Sequence, residues 1–208
     1  MPAPEVDPTD VAARPAVGHV NLMVDTLIAN ASLDDLRAIV RSMLATSPPS
    51  VSSSFVTAAR TCLKQSAQRG IGKQPLLFET REWHGRIETT PTTRLNNLLT
   101  YTRTLYGAGL GFDSLDILAG IVRATAGLRW DSDDHLVDEL AVIDADISQA
   151  IQSCREEYAS GNVRDISIAR TALRRLRVAL NDCRVEVESW GGEFPFSRGN
   201  ANAECLQI

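Results

Sequence analysis

HLVDELAVIDADISQAIQSCREEYASGNVRDISIARTALRRLRVALNDCRVEVESW, residues 135–190, decides the fold. Leu136, Leu140, Ile143, Ile147, Ala150 and Cys154 recur at alternating spacings of four and three. Ala169, Leu173, Leu176, Leu180, Cys183, Val187 and Trp190 do the same. That period lays one apolar seam along a long helix. Ser160-Gly161-Asn162 between the seams reads as a helix stop, and Asp165 as the cap of the restart. Two such helices joined by a short break predict an antiparallel hairpin.

The hairpin cannot be a domain by itself. Burying a Leu or Ile contributes about 1.5–3 kcal/mol, and ordering each residue costs a similar amount. Val137, Ile151 and Tyr158 also widen the first seam beyond a two-strand interface. Further helices must cover it. One is expected from after Pro91 to Tyr106, stopped by Gly107-Ala108-Gly109. Another carries Leu115, Leu118, Ala119, Ile121, Val122 and Ala126, capped by Asp113 or Ser114. Asp131 or Ser132 is the expected cap of the long acidic helix that follows.

Upstream, residues 1–16 contain Pro2, Pro4, Pro8 and Pro15 and read as a disordered tail. Three short packed helices are expected within 17–69. The first spans His19 to Asn30. The second is capped by Ser32, with Asp34 and Asp35 in its positive first turn, and ends at Ser47-Pro48-Pro49-Ser50. The third uses Val51, Phe55, Val56, Ala59, Cys62 and Leu63. Residues 70–93 read as a crossover, anchored by Leu76, Leu77, Phe78 and Trp83, and 191–208 as a loose, flexible tail. No strand pattern of useful length is visible. The expected class is all-α: a bundle of four or more helices over 94–190, preceded by a small three-helix module.

Composition bounds function only broadly. The 208 residues are 44% hydrophobic and 23% charged, an ordinary globular profile, and the net charge of −5 weighs against broad nucleic-acid binding. No apolar run approaches the roughly 18 residues of a membrane span, and the N-terminus lacks a secretory signal pattern. Cys62, Cys154, Cys183 and Cys205 form no Cys-x-x-Cys pair. On the expected hairpin, Cys154 and Cys183 sit roughly 20 Å apart along the axis, beyond disulfide reach. Free thiols used as core residues point to an intracellular setting, cytoplasmic or nuclear.

Motifs for chemistry fail their context tests. Gly107-Ala108-Gly109-Leu110-Gly111-Phe112 follows a helix rather than a strand and lacks the last glycine of a dinucleotide loop. Gly72-Lys73 lacks the first glycine and the Ser or Thr of a P-loop. His19, His84 and His135 share no metal-ligand spacing. Asp144 and Asp146 diverge by about 200° on a helix, so surface solvation is expected, with Asp144 at the seam's edge. Trp83-His84 reads as an anchor of the crossover. Cys205-Leu206-Gln207-Ile208 places a cysteine at the prenylation position, but Gln207 and the non-basic residues before it depart from that pattern. No enzyme, cofactor or metal site is expected.

The expected function is therefore a non-enzymatic helical interaction protein, an adaptor or subunit of a larger assembly. Met23, Leu27, Leu36, Ile39, Val40 and Met43 form the candidate partner-docking or self-association surface. Arg170, Arg174, Arg175 and Arg177 form a candidate arginine face for an acidic partner. The same face gives the alternative reading, a nucleic-acid or chromatin-associated regulatory binder, which Asp182, Glu186 and Glu188 disfavour. In its order of elements, with Ser32-Leu33-Asp34-Asp35-Leu36 in a short helical module ahead of a bundle, the chain resembles the nuclear proteasome-tethering proteins of fungi over residues 20–65. The resemblance rests on common helix formers. It implies a tether or adaptor and brings no site residue with it.

Overall fold

The computed structural model describes residues 22–67, 76–83, 86–131 and 134–208. They form eight α-helices and one two-stranded sheet. The expected tail, 1–16, and His19 lie outside the described residues. The chain divides into two units, Met1–Ser52 and Ser53–Ile208.

The first unit holds α1, Leu22–Asn30, and α2, Leu33–Thr46. Ser32 caps α2 as expected, its Oγ accepting from Asp35 N at 3.1 Å. Helix α3, Pro49–Ala67, starts here and continues into the second unit. The three helices form in the expected order. No described residue from Val24 to Gln65 is buried.

In the second unit the crossover contains an unanticipated antiparallel hairpin, β1, Phe78–Trp83, and β2, Arg86–Pro91, with Thr80 opposite Thr89. Phe78 and Thr89 are buried, and β2 packs on the bundle. The inward face mixes Thr with Phe, so the alternation that marks a half-buried strand is blurred.

The bundle comprises α4, Thr93–Gly107; α5, Gly111–Arg123; α6, His135–Ala159; α7, Ile166–Ser189; and α8, Ser197–Cys205. Both seams are core. Leu136, Leu140, Ile143, Ile147, Ala150 and Cys154 are fully enclosed, and Ala169, Leu173, Leu176, Leu180, Cys183 and Val187 nearly so. Gly161 makes the stop between them in the left-handed region at φ 69°. Asp165 caps α7, accepting from Ser167 N at 2.8 Å and Ile168 N at 3.2 Å.

Both seams belong to one buried cluster, although the two helices are not close backbone neighbours. Close backbone packing runs α5–α6, α6–α8, α8–α7 and α7–α5, while α6 and α7 have almost no direct backbone contact. The four helices therefore form a ring with α6 and α7 on one diagonal. Phe112 N at the start of α5 reaches Glu157 near the end of α6, whereas Asp116 pairs with Arg175 and Gly127 N reaches Glu186 of α7. So α5 runs against α6 and along α7, which makes α6 and α7 antiparallel. Helix α4 packs outside, on α5 and α6.

Two caps and one tail differ from expectation. Helix α6 is capped by Asp134 rather than Asp131 or Ser132. Helix α5 starts at Gly111, ahead of Asp113 and Ser114, and no side chain caps it from Leu110. Glu157 supplies an acceptor from α6 instead. At that contact a Cβ on Gly111 would meet Cys154 N at 2.5 Å and Ser153 C at 2.8 Å, so only glycine permits the approach. Finally, 191–208 is not loose. Phe196, Ala203 and Leu206 are buried, and α8 fills the gap that α6 and α7 leave across their diagonal.

Candidate functional site

Helices α1 and α2 carry the predicted docking residues. Leu27 is 50% exposed, Ile39 43% and Met43 42%, while Leu36 and Val40 are half-buried. The side chain of Met23 lies outside the described residues. Leu27, Asn30, Ala31, Asp35, Ala38 and Ile39 line a shallow depression, and Ser42, Met43 and Thr46 extend it along α2. Val24, Ile28 and Leu33 are exposed as well. Several large apolar side chains are thus left open along these two short helices.

The arginine face is largely engaged within the chain. Arg177 donates to Ala203 O at 2.7 Å and to Leu206 O at 2.7 Å. Arg170 Nε donates to Ile208 O at 2.9 Å. Arg175 pairs with Asp116 at 3.1 Å. Of the four, Arg174 alone projects without a partner among the described residues. These side chains fasten α8 and α5 to α7. Sequence reading saw the stripe but not the segment that neutralises it, because α8 has no apolar period of its own.

The acidic pair on α6 is structural too. Asp146, expected in solvent, is 5% exposed and accepts two parallel hydrogen bonds from Arg103, at 2.9 and 2.8 Å. Tyr106 donates to the same carboxylate at 2.8 Å. Burial, followed by that hydrogen bond, pushes the Tyr106 phenol up to about 12. Asp144 does lie at the seam's edge, accepting from Gly199 N at 2.7 Å. Its carboxyl is raised chiefly by burial. Sequence reasoning missed Arg103 and Tyr106. Their spacing of three on α4 places them on one face, but only the tertiary approach of α6 gives that face a meaning.

Near the start of α5, Glu157 is raised above its ordinary value, first by burial and then opposed by its bond to Phe112 N. Burial also raises the Cys154 thiol, so its nucleophilic thiolate is disfavoured. The glycine-rich segment is a helix terminus. Arg60 donates to Ala108 O at 2.7 Å and to Gly109 O at 3.0 Å, satisfying carbonyls at the negative end of α4. Among the described residues no three His, Cys, Asp or Glu side chains converge as metal ligands. His135 is exposed at the start of α6, and His84 lies outside the described residues. The backbone of Trp83 ends β1, but its side chain is also outside them. Cys205 is exposed and ends α8. No helix among the described residues is long and apolar enough to cross a membrane.

Compared with known proteins, the chain matches no protein-family model, no curated protein and no solved structure.

Proposed function

We propose that the protein is a non-enzymatic helical interaction protein, an adaptor or subunit of a larger assembly, that receives a protein partner on the α1–α2 face. One observation carries the reading: the helices with exposed Leu27, Ile28, Leu33, Ile39 and Met43 hold no buried residue among those described. Isolated helices of 9 and 14 residues are marginal in water. Covering their apolar stripe with a partner supplies the packing they lack. The buried thiols of Cys154 and Cys183, with no disulfide among the described residues, support an intracellular setting, cytoplasmic or nuclear. The nucleic-acid reading has weaker support, because Arg170, Arg175 and Arg177 are engaged inside the chain.

Tagged full-length protein and its Ile39→Asp/Met43→Asp variant, expressed in the native cells and captured gently, test the proposal. A stoichiometric protein partner is expected with the wild type and not with the variant, both giving the same helical circular dichroism. Equal recovery of that partner by both, or recovery of the wild type alone and as a monomer, overturns it.

A further inference from the structure

Helix α3 meets the bundle through charge rather than through a core. From Ser53 to Gln65 no described residue is buried, and Ala59 and Leu63 are half-buried. It takes no part in the close backbone packing that joins the bundle helices. Arg60 and Lys64 are the charged residues of α3, one turn apart on the same side, and both reach the α4–α5 corner. Arg60 donates from Nε to Ala108 O at 2.7 Å and from Nη2 to Gly109 O at 3.0 Å. Those carbonyls lie at the negative end of α4. Lys64 Nζ stands 3.8 Å from Oδ2 of Asp113, in the first turn of α5. Gly109 makes the fit possible. It turns the chain at φ 73°, and a Cβ there would overlap Arg60 Nη2, so the guanidinium lies directly on bare backbone.

These contacts are within reach of solvent ions. The Lys64 and Asp113 side chains are 42% and 50% exposed, and the Arg60 bonds are only part-buried. Salt weakens such contacts. The bundle helices are held instead by fully enclosed apolar side chains such as Leu115, Leu118 and Leu176, which salt does not screen. We infer that α3 from Ser53 onward is a releasable clasp, fastened to the α4–α5 corner by Arg60 and Lys64, that detaches while α5 to α7 stay folded. Release bares the carbonyls of Ala108 and Gly109 and the Asp113 carboxylate, an electronegative corner.

Hydrogen exchange of the purified full chain at about 0.02 M and about 1 M sodium chloride gives the test. A detached α3, rich in Ser, Thr and Val, is a poor helix by itself, so its own amides report release. In the wild type, residues 53–65 should be protected at low salt and exchange about tenfold or more faster at high salt, with α5 to α7 unchanged. Arg60→Met should give the faster exchange already at low salt. Lys64→Met should give a smaller rise, because its ion pair is longer and exposed. Arg60→Lys keeps the charge without the fork of donors and should fall between the wild type and Arg60→Met. Residues 53–65 unprotected in the wild type at low salt, protection indifferent to salt or to Arg60→Met, or α5 to α7 opening together with α3 each overturns the inference.

Discussion

Arg103, Tyr106 and Asp146 form a bonded polar group in the bundle, with a buried carboxylate gripped by a guanidinium and a phenol. Removing the cation leaves a desolvated charge with one remaining donor. Arg103→Met should therefore lower the unfolding free energy by about 2–3 kcal/mol, less than a fully buried pair because Arg103 is itself half in water. Arg175→Met removes a pair whose partners are both about half exposed and should cost less than about 1 kcal/mol. Urea titration of the two variants beside the wild type checks the contrast; equal losses would contradict it. Linkage at Glu157 points the other way. Its folded carboxyl is raised by burial, so between its ordinary and folded values the native state binds more protons. Its contribution is therefore present at low pH and is lost as pH rises through that window.

At the level of elements, legibility follows from how local the determining force is. The seams of α6 and α7, the Ser32 and Asp165 caps and the Gly161 stop were readable, because each depends on residues within a turn or two. What escaped were elements defined by distant partners. Helix α8 reads SRGNANAEC, with no stripe, and forms because Gly199 seats on Ile147 and Asp144 while Arg177 holds its last carbonyls. The start of α5 depends on Glu157, 45 residues away. The β1–β2 hairpin was missed because half of its inward pattern is threonine. The apolar residues of α1 and α2 were legible as an amphipathic stripe, but not their exposure, which only the structure reveals. Because Arg177 bonds three carbonyls of the C-terminal segment, Arg177→Met should speed amide exchange across residues 197–206 about tenfold or more, with α5 and α6 unchanged. Unaltered exchange there would remove the latch from the account.

Along the chain, every buried apolar residue among those described lies from Phe78 onward. Helices α5 to α7 are held by side chains with no solvent exposure, such as Leu115, Leu118, Ile143, Ile147 and Leu176. Helices α1 and α2 present comparable side chains, and none of their described residues is buried. Opening free energies should follow that difference, since protection scales with local packing. Association adds protection by mass action, and only where the partner sits. The most direct measurement is hydrogen exchange of the purified chain. The account predicts that amides of residues 24–46 exchange far faster than those of α5 to α7 when the chain is alone and dilute. Residues 24–46 as protected as the bundle under those conditions would contradict it.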